Sequence, residues 1–554
     1  MGTAPTRSPN CANADRFAST VAESADFNYA ALRNHWYAEG WYSSTTCIDA
    51  FERAAVGDAQ IPLVFVTEGT ETTATVAEIH RAAMTIAAGM QRLGIRPGDA
   101  VAVQLTNRLE CAVAYQAVML CGAVLVPVVH IYGSNEVGFI LSESRARLFI
   151  MPAKFRSNTY LQRVAGYSQL AALDHLVIVG ADEPGRGYLL WQELGEDPDD
   201  YVAPAVLSDD VCALLYTSGT ASAPKGVQHS HNSLLAEQAT LPGLLAGGRD
   251  DVQLVTFPPG HIAGLNSMLR PLMSGTRSVF LDHWDPELAA DLVARYSVTA
   301  TSGAPFHLYG LLQVEDVTAK LATLREFLTG AAPVTDELGR QAASAGITAY
   351  RCYGMTEHPT VTGAHPDDPL DVRMGTDGAP MSGCIVRVLD SDGADQPPGI
   401  EGEVVVQGPD QFVGYHNPAL NVSAFTADGW FRTGDLGHLD ARGRLTITDR
   451  IKDVIIRGGE TISSGQVEDV LHSHPAVAEA AVVAAPDPRY GEVVAAIVVV
   501  KTGAALDLDE LRRHFEASGL ARQKTPERLV VVDSLPRTAL GKVRKADLRR
   551  THFQ

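Results

Sequence analysis

Apolar positions recur every three or four residues from Val76 to Leu93, at Ile79, Ala82, Ile86 and Met90, and this spacing predicts a helix that Gly94 ends. The period then collapses to a continuous apolar run, Ala100 to Leu105, which predicts a buried strand. The pair recurs with Cys111 to Leu120 as helix and Val124 to Val129 as strand, and again with Pro286 to Tyr296 and Val298 to Thr301. Such alternation across residues 71–400 predicts an α/β fold with parallel-rich sheets flanked by helices. Between about 385 and 450 the texture changes to hairpins, Ile385 to Leu389, Gly402 to Gln407 and Arg444 to Asp449, with Asp-Gly and Arg-Gly at the turns. This predicts a β-rich subdomain. After Arg450 the pattern starts afresh. Helices over Gln466 to His472 and Leu508 to Glu516, with strands over Val477 to Ala484, Glu492 to Val500 and Leu529 to Val532, predict a small α+β unit. The expected division is therefore 1–450 and 451–554, with 1–45 an extension of no assigned structure.

Length and charge narrow the function. At 554 residues the chain exceeds one ordinary core. The net charge of −21 argues against a nucleic-acid partner, which needs clustered Lys and Arg. Seven scattered cysteines, none in Cys-x-x-Cys spacing, read as buried thiols of a reducing cytoplasm, with Cys352 the one placed beside a motif. The N-terminal stretch has no apolar core of a secretory signal. The longest apolar run, Ala117 to Val129, is broken by Gly122 and Pro127 and falls short of the roughly 20 residues a spanning helix needs. A cytoplasmic protein with no integral membrane segment is expected; peripheral membrane contact and a homodimer stay open.

The chemistry is densest at Tyr216-Thr217-Ser218-Gly219-Thr220-Ala221-Ser222-Ala223-Pro224-Lys225-Gly226. A buried strand from Val211 to Leu215 runs into small hydroxyl residues, Gly and one Lys, which lets backbone N–H groups, hydroxyls and a point charge converge on phosphates. A Gly/Ser linker has similar composition but needs neither the buried strand nor the ordered Pro-Lys-Gly. The stretch is not the P-loop, since Pro224 precedes the Lys and Gly226 follows it.

This loop resembles the phosphate-binding signature of the adenylate-forming superfamily of acyl-CoA synthetases, firefly-type luciferases and amino-acid adenylation domains, Ser-Gly-Thr-Thr-Gly-x-Pro-Lys-Gly, with Ala221 and Ser222 as departures. Further motifs follow in order: Tyr353-Gly354-Met355-Thr356-Glu357, Trp430-Phe431-Arg432-Thr433-Gly434-Asp435, Asp449-Arg450-Ile451-Lys452-Asp453, and Pro536 to Gly541-Lys542. Nearly the whole chain past about residue 45 is covered. The resemblance implies ATP binding by Thr217, Ser218, Gly219, Thr220 and Lys225. It implies that Tyr353 packs on the base, with Gly354 and Met355 beside it, and that Thr356 donates to the α-phosphate. Ala331, Ala332 and Pro333, after Gly330, would flank the adenine. Asp435 and Arg450 would hold the ribose. Glu357, with Thr220, would hold Mg²⁺, and Lys542 would be the catalytic cation. Lys452 would be the hinge of the small domain, whose Gly458 and Gly459 would open a tunnel for CoA. Phe257 to Gly264 would line the acid pocket through His261, Ile262, Ala263 and Gly264. This segment holds no carboxylate to pair with a substrate ammonium, which favours a plain carboxylic acid.

The implied activity is an ATP-dependent carboxylate–CoA ligase, closest to bacterial fatty-acyl and alicyclic-acid CoA ligases, acting on a fatty, alicyclic, aromatic or sterol-side-chain acid. Loading of a carrier protein, a luciferase-like oxygenase and a non-catalytic nucleotide-binding relative are the alternatives.

Overall fold

In the computed structural model the residues described are 29–553 apart from 168–171, 184, 186, 218–223, 246–247, 249, 331–335, 458–459, 519, 521 and 539–540. Two large sheets carry the first part of the chain. In the nine-stranded sheet six neighbouring strands are parallel, in the order Thr348–Met355, Glu326–Thr329, Ala300–Gly303, Val252–Val255, Arg277–Leu281 and Pro62–Thr67. The eight-stranded sheet runs parallel from Val211–Thr217 through Val124–Pro127, Ala100–Val103, Leu148–Pro152 and His175–Val179 to Leu189–Leu190.

Helices fill the space between the sheets. Val76–Arg92 starts at a capping box, in which the Thr75 side chain accepts from the Glu78 N–H and the Glu78 carboxylate accepts from the Thr75 N–H. Its Ile79, Ala83, Ile86 and Met90 are buried with Phe51, Leu63 and Phe65 on one side and Val101 and Val103 on the other, so one core serves both sheets. Leu109–Leu120 is apolar all round because it lies inside this layer, and the chain turns from it directly into the strand Val124–Pro127. The long apolar run is thus a helix end followed by a strand. Among the described residues no helix is long and apolar enough to cross a membrane.

The hairpin region forms a four-stranded sheet, Ile385–Leu389, Gly402–Gln407, Phe431–Leu439 and Leu445–Arg450, antiparallel throughout. Beyond Arg450 a short turn, Ile451–Asp453, leads to a separate five-stranded sheet built from Ile455–Arg457, Glu460–Ile462, Val477–Asp487, Gly491–Val500 and Arg528–Val531. That sheet has cores of its own, one with Val467, Leu471 and Phe515, the other with Leu535 and Leu548.

One element departs from the sequence reading. The phosphate-loop segment was expected to be a strand entering a loop; in the structure a second strand, Lys225–Ser230, returns antiparallel to Val211–Thr217, with Thr217 opposite Lys225. The two strands form an antiparallel pair on either side of residues 218–223, which lie outside the described residues. Val298 likewise precedes its strand, which spans Ala300–Gly303.

Candidate active site

The hairpin fixes both ends of the phosphate loop. Ser218, Gly219 and Thr220 lie outside the described residues, but Thr217 and Lys225 that flank them are paired in register. The returning strand is held by groups the hydrophobic pattern could not reveal. His229 is fully buried; its Nε2 lies 2.8 Å from the Thr356 carbonyl and its Nδ1 lies 3.2 Å from Ser233 Oγ. Nε2 must donate to that carbonyl, so Nδ1 is the acceptor and the ring is neutral, consistent with burial holding it down to about 4.

Thr348–Met355 brings Tyr353, Gly354 and Met355 to the same place, and the chain then reverses through Thr356 and Glu357 into His358–Gly363. A Cβ on Gly354 would lie 1.9 Å from the Pro359 carbonyl oxygen, so the reversal needs a glycine there. Glu357 accepts a 2.7 Å hydrogen bond from the Tyr415 hydroxyl, and the Lys225 ammonium lies 5.0 Å from the centre of the same Tyr415 ring. Burial raises the Glu357 carboxyl above its ordinary range, while Tyr415, its own N–H, Lys225 and Arg450 all favour the charged form.

Asp435 is 3% exposed, in the strand Phe431–Leu439 directly opposite Arg450. One oxygen accepts from the Tyr353 hydroxyl at 2.6 Å and the other lies 3.1 Å from Arg450 Nε. Both oxygens of the residue expected at the ribose are thus already engaged. A carboxylate has about four acceptor positions, so a diol can still be received without breaking either contact.

Lys542 arrives from the small unit on a tight turn in which Thr538 N–H donates to the Lys542 carbonyl at 2.7 Å and Gly541 N–H to the Thr538 carbonyl at 2.9 Å. Gly541 has φ of 80°, and a Cβ on it would lie 2.7 Å from the Phe306 ring of the helix Pro305–Leu311. The turn thus favours glycine through its positive φ, and any other side chain there would have to displace the Phe306 ring. Burial, then Arg450, brings the Lys542 ammonium down to about 8, with Asp435 and Asp453 opposing and Lys452 adding to the fall. The cation therefore sits among the residues of the nucleotide end. Asp449 ties the two units together from below: both its oxygens receive the Ser464 hydroxyl, at 3.0 and 3.1 Å, at the start of the helix Ser464–His472.

The acid end is built differently. The loop from Phe257 to His261 is held by Asn107 Nδ2 on the Phe257 carbonyl at 3.0 Å and the Tyr115 hydroxyl on the Pro259 carbonyl at 2.9 Å. His261 is the N-cap of the helix Ile262–Ser274 without capping it through its side chain, and Ala263 and Gly264 follow in the first turn. Its Nε2 has no hydrogen-bond partner among the described residues, and the same holds for Nδ1 of His130. Burial brings both rings to about 4, and each is neutral.

Two sets of expected residues, Ala331, Ala332 and Pro333 at the adenine and Gly458 and Gly459 at the CoA tunnel, lie outside the described residues. Their neighbour Arg457 stacks 3.9 Å from the Tyr490 ring centre and pairs with Glu527 at 2.7 Å. Cys352 is not activated: burial pushes its thiol up to about 12. The six described cysteines are free thiols.

A buried carboxylate flanked by Tyr353 and Arg450 and a lysine from the unit beyond Arg450 thus characterise the site. Residues 51–416 match the AMP-binding enzyme family, and residues 466–542 match the AMP-binding enzyme C-terminal domain. The chain belongs to the AMP-binding enzyme family. Within that family it is 36% identical over 482 residues to the medium-chain fatty-acid–CoA ligase of Escherichia coli, covering 86% of this chain and 85% of the relative. It is similar to the ATP-bound structure of MatB from Rhodopseudomonas palustris, with a TM-score of 0.82, 30% identity, and coverage of 92% of this chain and 99% of MatB. It is also similar to the o-succinylbenzoate CoA synthetase MenE of Bacillus subtilis in complex with its acyl-adenylate intermediate, with a TM-score of 0.78, 27% identity, and coverage of 92% and 99%. Family membership accounts for the presence of all the motifs in order; the hydrogen bonds above are how this particular chain holds them.

Proposed function

We propose that this AMP-forming acid–thiol ligase makes an acyl-adenylate and then an acyl-CoA at one site, with the residue roles that follow. The observation that carries the assignment is the meeting of Tyr353 and Arg450 on the buried Asp435, with the Lys542 ammonium within electrostatic reach of the same Asp435 and Arg450. The phosphate loop, from Thr217 to Lys225, receives the triphosphate. Asp435 and Arg450 hold the ribose, and Tyr353 packs on the base while its hydroxyl stays on Asp435. Ala331, Ala332 and Pro333 flank the adenine.

In the first step an oxygen of the acid's carboxylate bonds to the α-phosphorus and the bond to pyrophosphate breaks. Lys542 stabilises the charge developing on the oxygens around phosphorus, a role that preorganised charges perform at a cost of little rearrangement. Glu357 is one hard oxygen donor held by Tyr415, which suits Mg²⁺, a cation that keeps phosphate and water among its ligands. When bound, Mg²⁺ would neutralise the triphosphate charge. In the second step the unit beyond Arg450 turns about Lys452, withdrawing Lys542 and bringing Gly458 and Gly459 to the site. The CoA thiolate then bonds to the acyl carbon and AMP leaves.

The acid pocket lies at His261, Ile262, Ala263 and Gly264. That the segment from Phe257 to Gly264 holds no Asp or Glu supports a plain carboxylic acid over an amino acid, and a cytoplasmic location suits the free thiols. AMP release measured over acids of graded length and ring content, with and without CoA, tests the reading. CoA-dependent turnover with at least one acid supports it; adenylation followed by transfer only to a carrier protein would replace it.

A further inference from the structure

A buried cluster unrelated to the nucleotide contacts sits behind the Glu357 turn. His358, Cys384 and Asp410 come from three segments: the first residue of the strand His358–Gly363, the residue before Ile385–Leu389, and the loop after Gly402–Gln407. One donor atom from each lies within 4.8 Å of the others, and the three residues are 0%, 9% and 2% exposed. His358 Nδ1 is 3.0 Å from one Asp410 oxygen, and Cys384 Sγ is 3.4 Å from the other.

The decisive feature is the imidazole. Neither ring nitrogen of His358 has a hydrogen-bond partner among the described residues, although Nδ1 is close to a carboxylate. A buried ring left this way keeps the desolvation cost of its polar atoms with nothing to offset it. A close N···O approach without hydrogen-bond alignment is what two ligands of one cation show. Zinc bonds of about 2.0–2.1 Å to N, 2.0–2.2 Å to O and 2.3 Å to S place tetrahedral neighbours roughly 3.3–3.7 Å apart. The three donor atoms, all within 4.8 Å of one another, need to draw together to meet that range.

A second cluster, Cys47, Cys212 and His231, makes the contrast. There the His231 Nδ1 already accepts from the Cys47 N–H at 3.3 Å, and the Cys47 thiol has the His231 carbonyl at 4.0 Å. That cluster satisfies itself. In the His358 cluster the thiol has Asp410 Oδ1 at 3.4 Å and the Thr360 carbonyl at 3.8 Å, and it is the imidazole that has no partner among the described residues.

We propose that His358, Cys384 and Asp410 form a structural site for one borderline divalent transition cation of the zinc class. On binding, the Cys384 thiol loses its proton to solvent, the sulfur-to-metal bond forms, and imidazole and carboxylate complete the protein donors. Glu237 stands next to the set, bonded through Thr360 Oγ1 at 2.8 Å, with its other oxygen lacking a partner. The site would lock the segments that present Glu357 and Tyr415, since the Phe412 N–H donates to the Glu357 carbonyl at 2.8 Å.

The test uses the full chain, reduced, stripped with a chelator, loaded with Co²⁺ or Zn²⁺ in the presence of excess Mg²⁺, and desalted. One Co²⁺ per chain is expected to remain, with a thiolate-to-cobalt charge-transfer band in the near ultraviolet. Cys384→Ser should lose the band and Cys47→Ser should keep it. X-ray absorption on zinc-loaded wild-type protein, which needs no variant, should find one sulfur neighbour with the rest nitrogen or oxygen. Retention of no metal, two sulfur neighbours, or a band that survives Cys384→Ser would overturn the proposal.

Discussion

At the nucleotide end, Asp435 is buried with Tyr353 on one oxygen and Arg450 on the other. At the acid end, His261 is also buried, yet its Nε2 has no partner among the described residues. The first arrangement is held inside the protein: both Asp435 oxygens are engaged by groups of the chain itself. The second leaves a polar atom unsatisfied in an apolar wall, to be met by water or by the substrate. Under the proposed roles, the part of the reaction common to every acid rests on contacts inside the protein, and the part that differs between acids is left to the ligand.

The largest effect expected is at Lys542. Lys542→Ala should slow acid-dependent pyrophosphate exchange on the order of a hundredfold or more, because one preorganised charge is removed from the adenylation transition state. An exchange rate within a few-fold of wild type would remove Lys542 from that step. Asp435→Ala should come next. Losing a charge-assisted contact of roughly 1.5–3 kcal/mol weakens apparent ATP affinity roughly 10- to 150-fold while sparing that for the acid. Equal weakening of both would mean that the frame itself had collapsed.

Ala263→Trp probes the other end. A pocket wall that moves inward by a few methylenes should shift preference between short and long acids by about tenfold or more, with exchange on a short acid intact. Uniform loss across acids would place Ala263 away from the pocket. The smallest effect is a pH limb. Lys542, held from its ordinary 10.5 down to about 8, is charged below that pH and loses its charge above it. The kcat/KM for ATP, which reports the free enzyme, should therefore fall about tenfold for each pH unit above 8. In the ATP complex the phosphates favour the ammonium, so the limb in kcat should move to higher pH. Coincident limbs would show that no phosphate reaches Lys542.

Much of this was legible in the sequence because its carriers are periodic or punctuated. Pro286–Tyr296 and Gly402–Gln407 fall where the apolar spacing put them. Lys225–Ser230 was missed because it contains one aliphatic residue, Val227, and buries polar ones: Gln228, His229 and Ser230 are at most 2% exposed. A strand enclosed between two others can carry polar side chains if each finds a partner, and periodicity is blind to that. His229 was missed for the same reason. The motif residues were readable as a set, but not that Tyr353 and Arg450 would meet on Asp435, since residues 353, 435 and 450 converge only through sheet pairing.

The central claim is that Lys542 serves adenylation and is withdrawn for thioester formation. The direct measurement supplies Lys542→Ala and wild-type protein with preformed acyl-adenylate and CoA, in the absence of ATP, and follows acyl-CoA. The account predicts transfer by the variant at close to the wild-type rate. Transfer slowed as much as adenylation would contradict it.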